Sequence, residues 1–142
     1  MIEVREQGEL GAPAETVWGL LCEFVEFIEV LGESRGVQVG PTGEGIGMLR
    51  TVVLDDEIVV EKLEELDELN LRTSYSMPVP GPFPIQGYLA TMKLTPIDAK
   101  RCTLSWSSRF DPAPGVDDAV AEASVRGIYV EGIEILQGRF GA

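Results

Sequence analysis

Apolar and polar residues alternate loosely from Ile2 to Leu10, the period of a first strand. Gly11-Ala12-Pro13 breaks that run. Over Ala14–Cys22 the spacing becomes helical, with Val17, Trp18 and Leu21 on one face. Pro13 suits a helix start, and Glu15 favours its positive end. A second short helix is predicted over Phe24–Leu31, with Phe24, Phe27, Ile28 and Leu31 at helical spacing and Gly32 ending it. From Gly36 the period returns to two, predicting strands at Gly36–Val39, Met48–Leu54, Glu57–Leu66, Leu71–Met77, Ile85–Thr95 and Cys102–Phe110. Turn residues separate them, and connections this short predict an antiparallel meander. The last stretch, Val116–Phe140, reads as one long helix with Val125, Tyr129, Ile133, Leu136 and Phe140 along a stripe.

These elements predict an α+β fold, a curved seven-stranded antiparallel sheet around a long C-terminal helix, with two short helices after the first strand. One helix covers seven strands only if the sheet bends around it, and such a bend leaves a hollow. Alternation assigns the inward faces: Leu71, Thr73, Tyr75 and Met77; Tyr88, Ala90, Met92 and Leu94; Leu104, Trp106, Ser108 and Phe110. There is no internal repeat or linker, so residues 1–142 are expected to form one domain.

A chain of 142 residues buries roughly two-thirds of its unfolded surface, enough for a core with an internal pocket. No apolar run approaches the ~18 residues of a membrane span. The N-terminus lacks a basic stretch followed by an apolar block, so no signal peptide and a cytoplasmic location are expected. The charge balance of 24 acidic to 11 basic residues, net −13, repels nucleic acid and anionic headgroups. Oligomeric state is not legible in this pattern, and a homodimer stays open.

The chain has no histidine, which removes the commonest general base, the usual zinc sites and any Ser-His-Asp triad. Cys22 in a helix and Cys102 opening a strand read as buried thiols rather than a disulfide. Gly43-Glu44-Gly45-Ile46-Gly47 precedes a strand and not a helix, so it lacks the geometry of a phosphate loop. Asp55-Asp56-Glu57 and Glu64-Glu65 lack the ligand order of a calcium loop. No metal or cofactor is expected.

The candidate chemistry centres on Arg50 and Glu61. A two-residue turn at Asp55-Asp56 sets Arg50 opposite Glu61, with Val52 facing Val59 and Met48 facing Leu63. That places an ion pair among apolar neighbours on the expected cavity face. It could anchor a ligand carboxylate, carbonyl or hydroxyl, or simply fix strand register. Tyr75, Tyr88, Trp106 and Tyr129 each offer a flat apolar surface with a polar handle, for lining a pocket or packing a core. Pro78-Val79-Pro80-Gly81-Pro82-Phe83-Pro84 predicts a stiff extended loop.

Several segments, in order, resemble one family. Ala12-Pro13-Ala14-Glu15-Thr16-Val17-Trp18 resembles the opening helix of the polyketide cyclase/dehydratase family, within the START-like (SRPBCC, helix-grip) superfamily. Gly45-Ile46-Gly47-Met48-Leu49-Arg50 is similar to its glycine turn and Arg-bearing strand, and Val59-Val60-Glu61-Lys62-Leu63 with Asp67 to its next strand. Thr103–Phe110 resembles its last strand, and Tyr129–Leu136 the end of its long helix. The second helix departs from the pattern: Phe27-Ile28-Glu29-Val30 stands where relatives often carry Trp and Pro. The resemblance implies the helix-grip fold and a ligand cavity. The superfamily includes lipid carriers, hormone receptors and polyketide cyclases, and by analogy with its receptors Phe83 would plug the cavity mouth.

Two functions fit this picture. One is a carrier or sensor that binds a small, largely apolar molecule. The other is a polyketide cyclase/dehydratase-type enzyme that positions a chain and polarises a carbonyl, with Arg50 as electrophile and Glu61 as base. A carboxylate held by arginine is a poor proton acceptor near neutrality, which favours binding. A core without a pocket of even ~300 Å³ would instead suit an interaction adaptor.

Overall fold

A computed structural model describes all residues, Met1–Ala142. The elements are β1 (Ile2–Leu10), α1 (Ala14–Leu21), α2 (Phe24–Gly32), a 3₁₀ turn (Glu33–Arg35), β2 (Gln38–Thr42), β3 (Leu49–Leu54), β4 (Glu57–Asp67), β5 (Arg72–Val79), β6 (Ile85–Pro96), β7 (Cys102–Pro112) and α3 (Asp118–Phe140). They form one antiparallel sheet of order β1-β7-β6-β5-β4-β3-β2, so the helix-grip architecture expected from the pattern is the observed one. No helix is long and apolar enough to cross a membrane.

Boundaries moved where backbone chemistry overrode alternation. β2 begins at Gln38 rather than Gly36, because Gly36 takes a left-handed φ of 69° that closes the 3₁₀ turn. Leu71 belongs to the turn before β5, since its φ of 51° does not fit an extended strand. Pro78 and Val79 extend β5, where Val79 pairs with Val60, so the stiff loop is shorter than its proline spacing suggests.

Curvature has a visible source. The β4–β5 ladder slips between Leu63/Tyr75 and Glu65/Ser74, leaving Glu64 as an extra residue in β4. It slips again between Val60 and Lys62, and the β6–β7 ladder slips around Gly87, whose φ is 63°. Bulges of this kind bend a strand and increase its twist. The first also switches the facing of the remaining β4 residues: Glu64 is exposed while Leu66 turns back against the core. Strict alternation from Leu63 would have aimed Leu66 outward.

The inner faces meet α3 as the alternation predicts. Thr73, Tyr75, Tyr88, Ala90, Met92, Leu94, Leu104, Trp106, Ser108 and Phe110 are buried, as are Val125, Tyr129, Ile133 and Leu136 on α3. The helix sits off-centre, lying closest to β1 and β7. Gly8 permits this, because a Cβ there would stand 2.6 Å from Ile133 Cγ2.

Candidate functional site

With α3 against β1 and β7, the β3–β5 wing does not reach the helix. A cavity of about 250 Å³ fills the gap. Its walls come from β3 to β7, from α2, from the outer side of α3 and from the loop after β5. Fifteen of its 22 lining residues are hydrophobic, among them Ile28, Val52, Val59 and Met77.

The hairpin register is the predicted one: Arg50 faces Glu61 and Val52 faces Val59. Asp55, at φ 54°, makes the tight turn. Arg50 Nε donates to Glu61 Oε1 at 2.9 Å, and Arg50 Nη1 donates to the Phe24 carbonyl at 2.6 Å. Arg50 is 1% exposed and Glu61 6%. The two ends of the pair face different surroundings. Arg50 Cζ lies 3.8 Å from the centroid of the Phe24 ring and 4.9 Å from that of Tyr75, a stacked cation inside the wall. Its Nη2 is buried without a partner. Glu61 lines the cavity and Arg50 does not, although the alternation had set the whole pair on the cavity face. The reason is α2: Phe24 caps the guanidinium and draws it away from the hollow.

Tyr75, Tyr88, Trp106 and Phe83 also line the cavity. Tyr129 does not; its ring stacks behind Trp106 with centroids 4.6 Å apart. The polar handles are joined to one another. Trp106 Nε1 donates to the Tyr75 hydroxyl at 3.1 Å, and the hydroxyls of Tyr88 and Tyr129 share a hydrogen bond. Burial, and then the Glu61 charge, push the Tyr75 phenol up to about 12. Burial also holds the phenols of Tyr88 and Tyr129 well above their ordinary range. Both thiols are free and raised by burial, so neither is an activated nucleophile.

Three features of the site were not read from the pattern. Ile128, Gly132 and Ile135 line the cavity as a second helical row beside the expected stripe of α3, at a spacing the sequence does display. Gly132 lets Trp106 approach, since a Cβ there would stand 2.7 Å from Trp106 Cζ3. At the rim, Arg35 Nη2 donates to both carboxylate oxygens of Glu131, at 2.8 and 2.6 Å. No local signal announces that pair, because the 3₁₀ turn and α3 meet only in the folded chain.

The profile of the family described as "Polyketide cyclase / dehydrase and lipid transport" matches residues 1–141. No curated protein matches the chain significantly. Among solved structures, an uncharacterised protein from Bacillus thuringiensis is 27% identical with a TM-score of 0.86, covering 98% of each chain. Zhui, a Streptomyces aromatase/cyclase, is 19% identical with a TM-score of 0.78, over 97% of this chain and 92% of its own. Norcoclaurine synthase from Thalictrum flavum, in complex with dopamine and hydroxybenzaldehyde, is 15% identical with a TM-score of 0.79, over 97% and 85%. At these last identities the likeness is one of fold. Profile, sheet order and gripped helix agree, and the chain belongs to the polyketide cyclase/dehydrase and lipid transport family.

Proposed function

We propose that this protein binds a small, largely apolar molecule in the cavity between its sheet and α3, as a carrier or sensor. The observation that carries this reading is the apolar space of about 250 Å³ between the sheet and α3, lined mostly by hydrophobic residues. The volume lies under the ~300 Å³ at which small-molecule sites usually begin, the size below which an interaction adaptor also fits, so a binding measurement decides between the two. The space exceeds the ~150 Å³ that accommodates benzene. A one- or two-ring guest therefore suits it better than a long-chain lipid. Tyr75, Tyr88 and Trp106 would supply flat contact surface, Glu61 a polar anchor, and Phe83 cover at the mouth. Arg50 and Tyr129 would act from behind, by holding Glu61 and Trp106 in place.

The test is native mass spectrometry of protein purified from its own host, together with titration of naphthalene followed by tryptophan fluorescence. A co-purified small molecule, or saturable naphthalene binding that a Val59→Trp substitution abolishes, supports the reading. Protein that carries nothing and binds no ring-sized probe overturns it.

One observation favours a second reading, a cyclase- or dehydratase-type enzyme: the Glu61 carboxylate lines the cavity and could serve as a base. Its Oε1 is already engaged by Arg50, which leaves only Oε2 for that role. Turnover of a polyketide-like substrate that Glu61→Gln abolishes, with binding retained, would establish the enzyme instead.

A further inference from the structure

The polar groups at the cavity differ in what they leave unused. The indole of Trp106 is bound to Tyr75, and Tyr88 is bound to Tyr129. Glu61 is different. Its Oε1 accepts from Arg50, while Oε2 receives no hydrogen bond from the protein. The residue is 6% exposed, and the surface it retains belongs to the cavity wall. A carboxylate oxygen in an apolar hollow without a donor is costly, and a guest that supplies one relieves that cost.

The same geometry excludes the opposite ligand. Arg35 is the one cation among the lining residues, exposed and paired with Glu131, while the Arg50 guanidinium is stacked between Phe24 and Tyr75 and does not line the cavity. A ligand carboxylate would meet the Glu61 carboxylate in place of Arg50. At the rim, Glu57 and Glu131 add negative charge, and Arg35 is already held by Glu131. A cationic guest is disfavoured for another reason. Arg50 balances Glu61, so the buried pair is neutral, and the lining carboxylate that has no ion pair, Glu57, stands exposed at the rim, so an ammonium carried to the interior would lose its hydration without a counter-charge there. A neutral hydroxyl gives up least on entry.

We infer that Glu61 Oε2 is a specificity-determining acceptor, and that the guest class is an uncharged, hydroxyl-bearing ring compound of the phenol type, with carboxylates rejected. This rests on the cavity-binding reading and narrows it.

The experiment compares naphthalene, naphthol and naphthoate on the wild-type chain and on Arg50→Met/Glu61→Leu, with dissociation constants measured by fluorescence or calorimetry. Replacing a buried ion pair by apolar residues of similar size commonly preserves folding, whereas removing one partner does not. In the wild type, naphthol should bind about tenfold or more tighter than naphthalene, the gain of a hydrogen bond to a charged acceptor. Naphthoate should bind weaker than naphthol by at least a similar factor. In the double variant the ratio of naphthol to naphthalene affinity should shrink to within about threefold, whatever the change in naphthalene binding itself. Equal binding of naphthol and naphthalene in the wild type overturns the inference while leaving the cavity reading intact. So does naphthoate binding tightest, or a naphthol advantage that survives in the double variant. Failure of all three probes to bind the wild type overturns both.

Discussion

The half of the sheet built from β1 and β7 meets α3 in solid contact, whereas the half built from β3, β4 and β5 stands away from the helix around a cavity. On the solid side a glycine, Gly8, lets backbone approach side chain, and Leu10, Leu104 and Leu136 are fully buried. On the hollow side Val52 and Val59 remain partly accessible, and a charged pair stands among them. A helix packed against one side of a curved sheet cannot also fill the other. Substitutions on the solid side should therefore cost stability, and those on the hollow side should mainly alter what is bound.

The sharpest exception is Arg50, which stands on the hollow side but ties α2 to the sheet. Arg50→Ala leaves the Glu61 charge unpaired and should destabilise the protein by about 3–5 kcal/mol in urea unfolding. The Arg50→Met/Glu61→Leu double variant should lie much nearer the wild type. A single variant as stable as the double would remove the structural role assigned to the pair. Next in size is the direct contrast. Leu104→Ala should cost about 2–5 kcal/mol because it opens a void in a filled region. Val52→Ala enlarges a space that already exists and should cost under ~1.5 kcal/mol. Equal losses at the two sites would erase the distinction between the halves.

The third prediction uses pH. All three tyrosines of the chain, Tyr75, Tyr88 and Tyr129, are buried in one cluster with raised phenol pKa values. Their contribution to stability is complete below the unfolded value near 10. As pH rises past that value the unfolded chain sheds these protons first, and stability falls through the Tyr75 value of about 12. Phenolate absorbance should thus appear in one cooperative step together with loss of circular dichroism. A gradual phenolate titration in the folded protein would place a tyrosine outside the dry cluster. Gly132→Ala forces Trp106 to shift and should cost about 1–3 kcal/mol. That loss is partly offset by alanine's helix preference of about 1 kcal/mol. The displaced indole should also weaken naphthalene binding. Smallest of all, Ser108→Ala deletes a buried hydroxyl without a partner and should change thermal stability by less than ~1 kcal/mol.

Most of the framework was legible in residue order because it depends on local periodicity. Alternation set the inward faces of β5, β6 and β7, and helical spacing set the stripe of α3 from Val125 to Leu136. The Asp55-Asp56 turn carried the Arg50–Glu61 register, since a two-residue hairpin leaves one pairing. The site was legible only in part. Glu61, Tyr75, Tyr88, Trp106 and Phe83 line the cavity, but Arg50 and Tyr129 stand behind it.

What the chain determined unaided was therefore the element order, the strand register at the β3–β4 hairpin and the apolar faces, because each depends on neighbours a few residues apart. Tertiary structure alone decided which side of the sheet α3 would occupy, where the bulges at Glu64 and Gly87 would bend it, and which end of the ion pair would look into the hollow. Those outcomes depend on contacts between distant segments: Gly8 with Ile133, Phe24 with Arg50, and Arg35 with Glu131. No local period encodes such contacts, since their energy exists only once the sheet has curved and the helix has docked.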